Sequence, residues 1–235
     1  AASDVYKRQV ICFILSYRVL PYRLEFIMIA IIDYDAGNTF NVQKALAYIG
    51  LDAVLTADPE TILNADGVLL PGVGAYAPAM AVLKEHGLVD VIHEVVKREI
   101  PLLGICLGMQ LLFEESEEYG PTPGLGLIPG MVKEIPSNLG LSVPHMGWNK
   151  NVVHQPHSTF NNVDDQYTYF VHSYYVDTDP EYITSTANYG IDVPGIVERG
   201  RVYGMQFHPE KSGVVGLNLL RTFGKITEVY GATKK

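Results

Sequence analysis

From Met28 onward the sequence alternates between short apolar runs and amphipathic helical stretches, and this alternation leaves few folds open. The runs at 27–32, 53–56, Gly67–Leu70 and Leu102–Ile105 are apolar nearly throughout, as expected of strands buried on both faces. Between them, 39–49 carries Val42, Leu46 and Ile49 at helical spacing, with Gly50 where a helix ends. The stretch 88–99 sets Leu88, Val91, Ile92, Val95 and Val96 on one stripe. Strand and helix in turn predict a parallel sheet covered on both faces. After Pro121 the texture changes to runs at 131–135, 167–171, 182–187 and 202–207, punctuated by Pro and Gly. A last helix at 214–230 carries Val215, Leu219, Leu220 and Phe223. The expectation is a single α/β domain over 28–235, a three-layer sandwich around a mixed, largely parallel sheet of flavodoxin-like kind.

Composition narrows the function classes. With 48% hydrophobic and 18% charged residues, the 235-residue chain can bury a sizeable core. A net charge of -9 and the lack of a basic block argue against nucleic-acid binding. Cys12 and Cys106 are too few for a disulfide framework and read as thiols of a reducing compartment, hence a cytoplasmic protein. Residues 1–27 hold Lys7 and Arg8, a short apolar run at 10–15, then Arg18 and Arg23. That order resembles a secretory signal, but no small-x-small cleavage site precedes Met28. The run also falls well short of the ~20 apolar residues that span a bilayer. Residues 1–27 are therefore expected to be a loose extension or a mis-called start, outside the domain.

The chemistry begins at Gly104-Ile105-Cys106-Leu107-Gly108-Met109-Gln110, which follows a strand and opens a helix expected over 107–113. A residue at such a corner is held in a sharp turn above the carboxyl end of the sheet, where α/β proteins bind ligands. The flanking glycines make room for the turn, and the helix N-terminus favours negative charge on sulfur. A buried structural cysteine is the competing reading for Cys106 taken alone. The second signal is Gln206-Phe207-His208-Pro209-Glu210. A thiol nucleophile needs a base, and the base needs an acceptor to fix its tautomer. Residues two apart on an extended chain point the same way, so His208 and Glu210 are expected to project together from a strand end. The third is Pro71-Gly72-Val73-Gly74, a glycine-rich turn after the strand at Gly67–Leu70. Ala77 stands where a dinucleotide loop has its third glycine, and the turn follows the third strand rather than the first. Backbone N–H groups aimed at a developing oxyanion are the better reading.

Together these segments resemble the class I glutamine amidotransferases, whose Cys-His-Glu triad hydrolyses glutamine to glutamate and ammonia. Gly104-Ile105-Cys106-Leu107-Gly108-Met109-Gln110 and Gln206-Phe207-His208-Pro209-Glu210-Lys211-Ser212 both match that family. Within it, four segments resemble the glutaminase subunit of imidazole glycerol phosphate synthase: Ile32-Asp33-Tyr34-Asp35-Ala36-Gly37-Asn38, Pro71-Gly72-Val73-Gly74-Ala75, Pro144-His145-Met146-Gly147-Trp148-Asn149 and Phe170-Val171-His172-Ser173-Tyr174-Tyr175. The likeness runs from Met28 to the C-terminus. It implies Cys106 as nucleophile, His208 as proton shuttle and Glu210 as its orienting carboxylate. It also implies an oxyanion hole from the backbone of Gly72, Val73, Gly74 and Leu107. Gln110, Glu118, Ser173 and Tyr174 match positions that hold the amino-acid end of L-glutamine. His145, Met146, Trp148 and Lys211 match positions at or near the interface with a cyclase subunit, a (βα)8 barrel that receives the ammonia; ordinary core packing remains open for Trp148. In the family the oxyanion loop is misdirected until the cyclase binds its nucleotide, which suits a flexible Gly-Val-Gly segment.

No metal or other cofactor is expected. His86 and His93 show no metal spacing, and Pro156 breaks any helix that could pair His154 with His157. Three other readings stay in view: a cysteine-dependent hydrolase or redox sensor of similar topology, a non-catalytic subunit that has kept the fold, and the glutaminase of another amidotransferase such as pyridoxal phosphate synthase. The glycine-rich glutamine loop of that last branch is not found in this sequence.

Overall fold

The computed structural model describes residues 27–234. Apart from Ile27, the proposed N-terminal extension lies outside the described residues, and so does Cys12. In chain order the elements are β1 (Met28–Ile32), α1 (Thr39–Tyr48), β2 (Asp52–Thr56), α2 (Pro59–Asn64), β3 (Gly67–Leu70), α3 (Tyr76–Glu85), α4 (Leu88–Lys97), β4 (Leu102–Ile105) and α5 (Leu107–Gln110). They continue with β5 (Glu115–Ser116), β6 (Thr122–Pro123), β7 (Met131–Glu134), β8 (His145–Val153), β9 (Tyr167–His172), β10 (Tyr174–Asp177), β11 (Ile183–Asn188), β12 (Asp192–Arg199), β13 (Val202–Met205) and α6 (Gly213–Thr233).

Nine strands form one sheet in the order β2-β1-β3-β4-β13-β12-β11-β8-β9. The pairs from β2 through to β13 are parallel, and from β13 outward the pairs with β12, β11, β8 and β9 are antiparallel. The expected mixed sheet is therefore present, with four parallel and four antiparallel pairs; its parallel half joins β1 to β4 of the first half of the chain to β13 near the C-terminus. A second sheet, β10-β7-β5-β6, was not foreseen. Its β5 and β6 are two residues each, too short to leave a periodic trace in the sequence.

The period of two along the parallel strands divides the core. Ala30, Ile32, Val68, Leu70 and Leu102 face one layer, with Met80 and Leu83 of α3 and Ile92 and Val95 of α4. Ile29, Ile31, Leu69, Leu103 and Ile105 face the other, with Val42 and Leu46 of α1 and Leu219, Leu220 and Phe223 of α6. Helices cover both faces, as continuous apolar strands require.

Seven elements have no counterpart in the sequence reading: α2, α3, β5, β6, β8, β10 and β12. Helix α2 is capped by Asp58, whose side chain accepts the Thr61 N–H at 2.8 Å, with Pro59 at its first position. Strand β8 alternates buried and exposed residues around the polar His145, Asn149 and Asn151, so no apolar run announces it.

Because Ile31 is fully buried at the centre of the parallel strands, Ile31→Ala should cost about 2–5 kcal/mol in urea unfolding. Val214→Ala, on an exposed helical position, should stay within about 0.5 kcal/mol of the parent.

Candidate active site

The corner after β4 is built by close backbone contact. Cys106 takes φ 54° and ψ −112°, a conformation that L-residues rarely adopt and that costs about 1–3 kcal/mol. It holds because glycine flanks it on both sides. A Cβ on Gly108 would sit 1.8 Å from the Leu70 carbonyl oxygen, and one on Gly104 would sit 2.6 Å from the Gly108 oxygen. The Cys106 N–H is fixed to the Met205 carbonyl at 2.7 Å. The helix that follows is a single turn, Leu107–Gln110, not the seven residues expected, because the chain leaves it to join β5. Its dipole is correspondingly small, so the strained turn rather than a long helix presents the sulfur.

His208 and Glu210 do meet, but not by strand alternation. Strand β13 ends at Met205, His208 is extended and tied through its N–H to the Tyr169 carbonyl at 2.9 Å, and Pro209–Lys211 form a 3-10 turn. That turn folds the carboxylate back, so Glu210 Oε1 meets His208 Nδ1 at 2.7 Å. Both side chains are shut from water. The buried carboxylate has a further donor that the sequence reading assigned no role: Asn38 Nδ2 lies 2.6 Å from the same oxygen. Asn38 sits in the left-handed region ahead of α1, a conformation that Asn tolerates well, which is the one signal that could have marked it.

Burial opposes charge on His208, but Cys106 and Glu210 together outweigh it and push its pKa up to about 9. Burial likewise opposes charge on Glu210, yet the imidazole and the Asn38 amide hold its pKa below the usual carboxylate value. His208 Nε2 makes no well-formed hydrogen bond among the described residues, although the sulfur is near enough to favour the charged ring. The nitrogen left free is the one able to exchange a proton with Cys106, while Nδ1 is engaged by the carboxylate.

A cleft of about 340 Å3 opens over this group. Cys106, Leu107, Gln110, Glu118, Ser173, Tyr174, His208 and Lys211 line it, with Val73 and Gly74. Gln110 has both amide hydrogens committed, to the Tyr174 carbonyl at 2.9 Å and to Gln206 Oε1 at 3.1 Å, so its oxygen is what it offers a ligand. Among the described residues the N–H groups of Val73, Gly74 and Leu107 have no protein acceptor. Gly72 is buried, with Tyr34 Oη 2.4 Å from where its Cβ would be.

The four expected interface residues divide. Met146 and Trp148 are exposed on β8, where Trp148 packs edge-on against Tyr169, so Trp148 is not a core residue; Lys211 is exposed at the cleft rim. His145, matched at or near the interface, does not itself reach the surface. It is fully buried, stacked on Tyr189 and Phe170, with Nδ1 3.0 Å from His172 Nε2. As residues 145 and 146 alternate across β8, exposing Met146 turns His145 inward. Among the described residues no cluster of three His, Cys, Asp or Glu side chains could hold a metal ion, and no helix is long and apolar enough to cross a membrane.

Comparison with known proteins assigns the chain to a family. The family described as glutamine amidotransferase class-I matches residues 30–225. The imidazole glycerol phosphate synthase subunit HisH of Streptococcus sanguinis is 54% identical over 83% of this chain and 95% of its own length. The subunits of that name from Lacticaseibacillus casei and Listeria monocytogenes are 54% and 49% identical, over 86% and 85% of the chain and 97% and 96% of their own lengths. The chain belongs to the class-I glutamine amidotransferases, in the HisH branch. It is thus a glutaminase subunit of imidazole glycerol phosphate synthase, an enzyme of histidine biosynthesis.

More distant solved structures share its architecture. A solved glutamine amidotransferase superposes with a TM-score of 0.67 at 20% identity, covering 85% of this chain and 98% of the other. A structure described as PurLQS from Thermotoga maritima gives 0.65 at 19% identity, covering 84% and 97%. At such identities the likeness concerns the fold alone.

The paired shifts at His208 and Glu210 set a pH window. A raised histidine pKa adds stability that is complete below its ordinary 6.5 and is lost as the pH climbs through about 9. A lowered carboxylate pKa adds stability present above its ordinary 4.5 and lost as the pH falls below it. The stability difference between the parent and Glu210→Gln should be largest near neutral pH and shrink toward pH ~10 in denaturant titrations. A difference that does not vary with pH would contradict the charged pair.

Proposed function

We propose that Cys106 attacks the carboxamide carbon of L-glutamine to form a thioester, with His208 taking the thiol proton and returning it to the departing ammonia. Glu210, itself tethered by Asn38, fixes the imidazole so that Nε2 faces the sulfur. The backbone N–H groups of Leu107 and of the loop Gly72, Val73, Gly74 receive the negative charge that develops on the carbonyl oxygen. Gln110, Glu118, Ser173 and Tyr174 hold the amino-acid end of the substrate. Water then cleaves the thioester, releasing glutamate and restoring the thiol.

Ammonia passes to a cyclase subunit, a (βα)8 barrel in a heterodimer with this chain, which makes imidazole glycerol phosphate and AICAR. Met146, Trp148 and Lys211 form the contact, and His145 stiffens β8 beneath them. Exposed tryptophans are frequent interface anchors. The oxyanion loop stays misdirected until the cyclase binds its nucleotide, so the free chain wastes little glutamine. The complex works in the cytoplasm, and the domain starts at Met28.

The observation that carries this reading is the convergence of a strained, cleft-lining Cys106 with a buried His208–Glu210 pair whose Nε2 is left free. Cys106→Ser should reduce glutamine-dependent synthesis by the assembled complex by at least ~10³-fold while leaving synthesis from ammonium salts intact. Ammonia release and product formation, measured side by side, check it. Loss of both activities would point to a failure of assembly instead.

A further inference from the structure

The loop that follows β3 is fastened at both ends and free between them. At the front, Tyr34 Oη donates to the Pro71 carbonyl at 2.6 Å, and Gly108 packs against Leu70. At the rear, the N–H of Tyr76, first residue of α3, is donated to Glu118 Oε2 at 2.6 Å. Ala75 precedes the helix and offers no side-chain acceptor, so without Glu118 a buried N–H would lose its partner. In between, Val73 is exposed, and Gly74 takes φ +105° with open space where a Cβ would stand. Movement of the loop is thereby confined to the peptides that carry its unpaired N–H groups.

The rear fastening is made by a carboxylate that also lines the cleft with Cys106 and Gly74. Glu118 is nearly buried, and its own N–H is held by Ser116 Oγ at 3.1 Å. One oxygen is committed to Tyr76; the cleft side of the same group is what a ligand meets. A cation bound there would meet the same carboxylate that holds Tyr76 and the exit of the loop.

We propose that Glu118 is a positioning residue that couples the α-ammonium group of the substrate to the oxyanion loop. The proposal rests on the glutaminase reading above and adds that the amino end of glutamine is sensed mechanically as well as bound. Binding energy from a remote part of the substrate is then spent on organising the reacting end, and it shows in kcat as well as in KM.

The test uses the assembled synthase with its cyclase and nucleotide, comparing L-glutamine with glutaramate, which lacks the α-amino group. The parent should show kcat at least ~10-fold lower for glutaramate, beyond any change in KM. Glu118→Gln keeps an acceptor for Tyr76 and loses the charge that meets the ammonium, so kcat for L-glutamine should fall toward the glutaramate value, with KM raised as well. Glu118→Asp keeps the charge but is one methylene short, so kcat for glutamine should fall at least ~10-fold. Hydrogen exchange of residues 72–76 in the free chain should quicken in Glu118→Asp and remain near parental in Glu118→Gln. Equal kcat for the two substrates, or unchanged exchange in Glu118→Asp, overturns the coupling. If Glu118→Asp fails to fold, the glutaramate comparison in the parent decides alone. A parent complex that releases no ammonia from glutamine would refute the glutaminase reading instead.

Discussion

The site depends on one backbone contact. Gly108 lies so close to the carbonyl of Leu70 that no side chain fits, and Gly104 is equally hemmed in by Gly108. This packing sets the turn that holds Cys106 in its strained conformation. It brings the end of β4 against the end of β3, so the sulfur and the glycine-rich loop 71–74 are neighbours by construction. The strain, of order 1–3 kcal/mol, is sustained by fully buried strands on either side.

The second constraint is electrostatic. Burying an imidazole and a carboxylate away from water is costly unless they pair well. Here the 2.7 Å contact favours the charged forms of both, and the Asn38 amide favours that of the carboxylate. The arrangement stays incomplete, since Glu210 Oε2 and His208 Nε2 lack partners among the described residues. An unpaired buried nitrogen beside a sulfur is a penalty in a structural site and an advantage in a catalytic one. The geometry is therefore organised for proton transfer more than for stability.

Much of this was legible in the sequence, because the parallel strands are apolar nearly throughout and the corner glycines frame Cys106. Strands β3 and β4 have the bounds that their composition predicts. What escaped has physical reasons. Strand β8 hides behind polar residues that bond within the sheet, and β5 and β6 are too short for any period. Asn38 reaches Glu210 across the whole fold, a contact that spacing cannot announce. The meeting of His208 with Glu210 was anticipated for the wrong reason: a 3-10 turn makes it, since Pro209 ends the extended chain. His145, matched to a position at or near the interface, is turned inward by the alternation of β8, which a motif match alone does not reveal.

The most direct test of the proposed nucleophile is covalent capture in the assembled complex by a glutamine analogue bearing a diazoketone in place of the carboxamide. Peptide mass spectrometry should find one adduct, on Cys106, and labelling should slow by at least ~10²-fold in His208→Asn. An adduct elsewhere, or labelling of Cys106 that is indifferent to His208, would contradict the account.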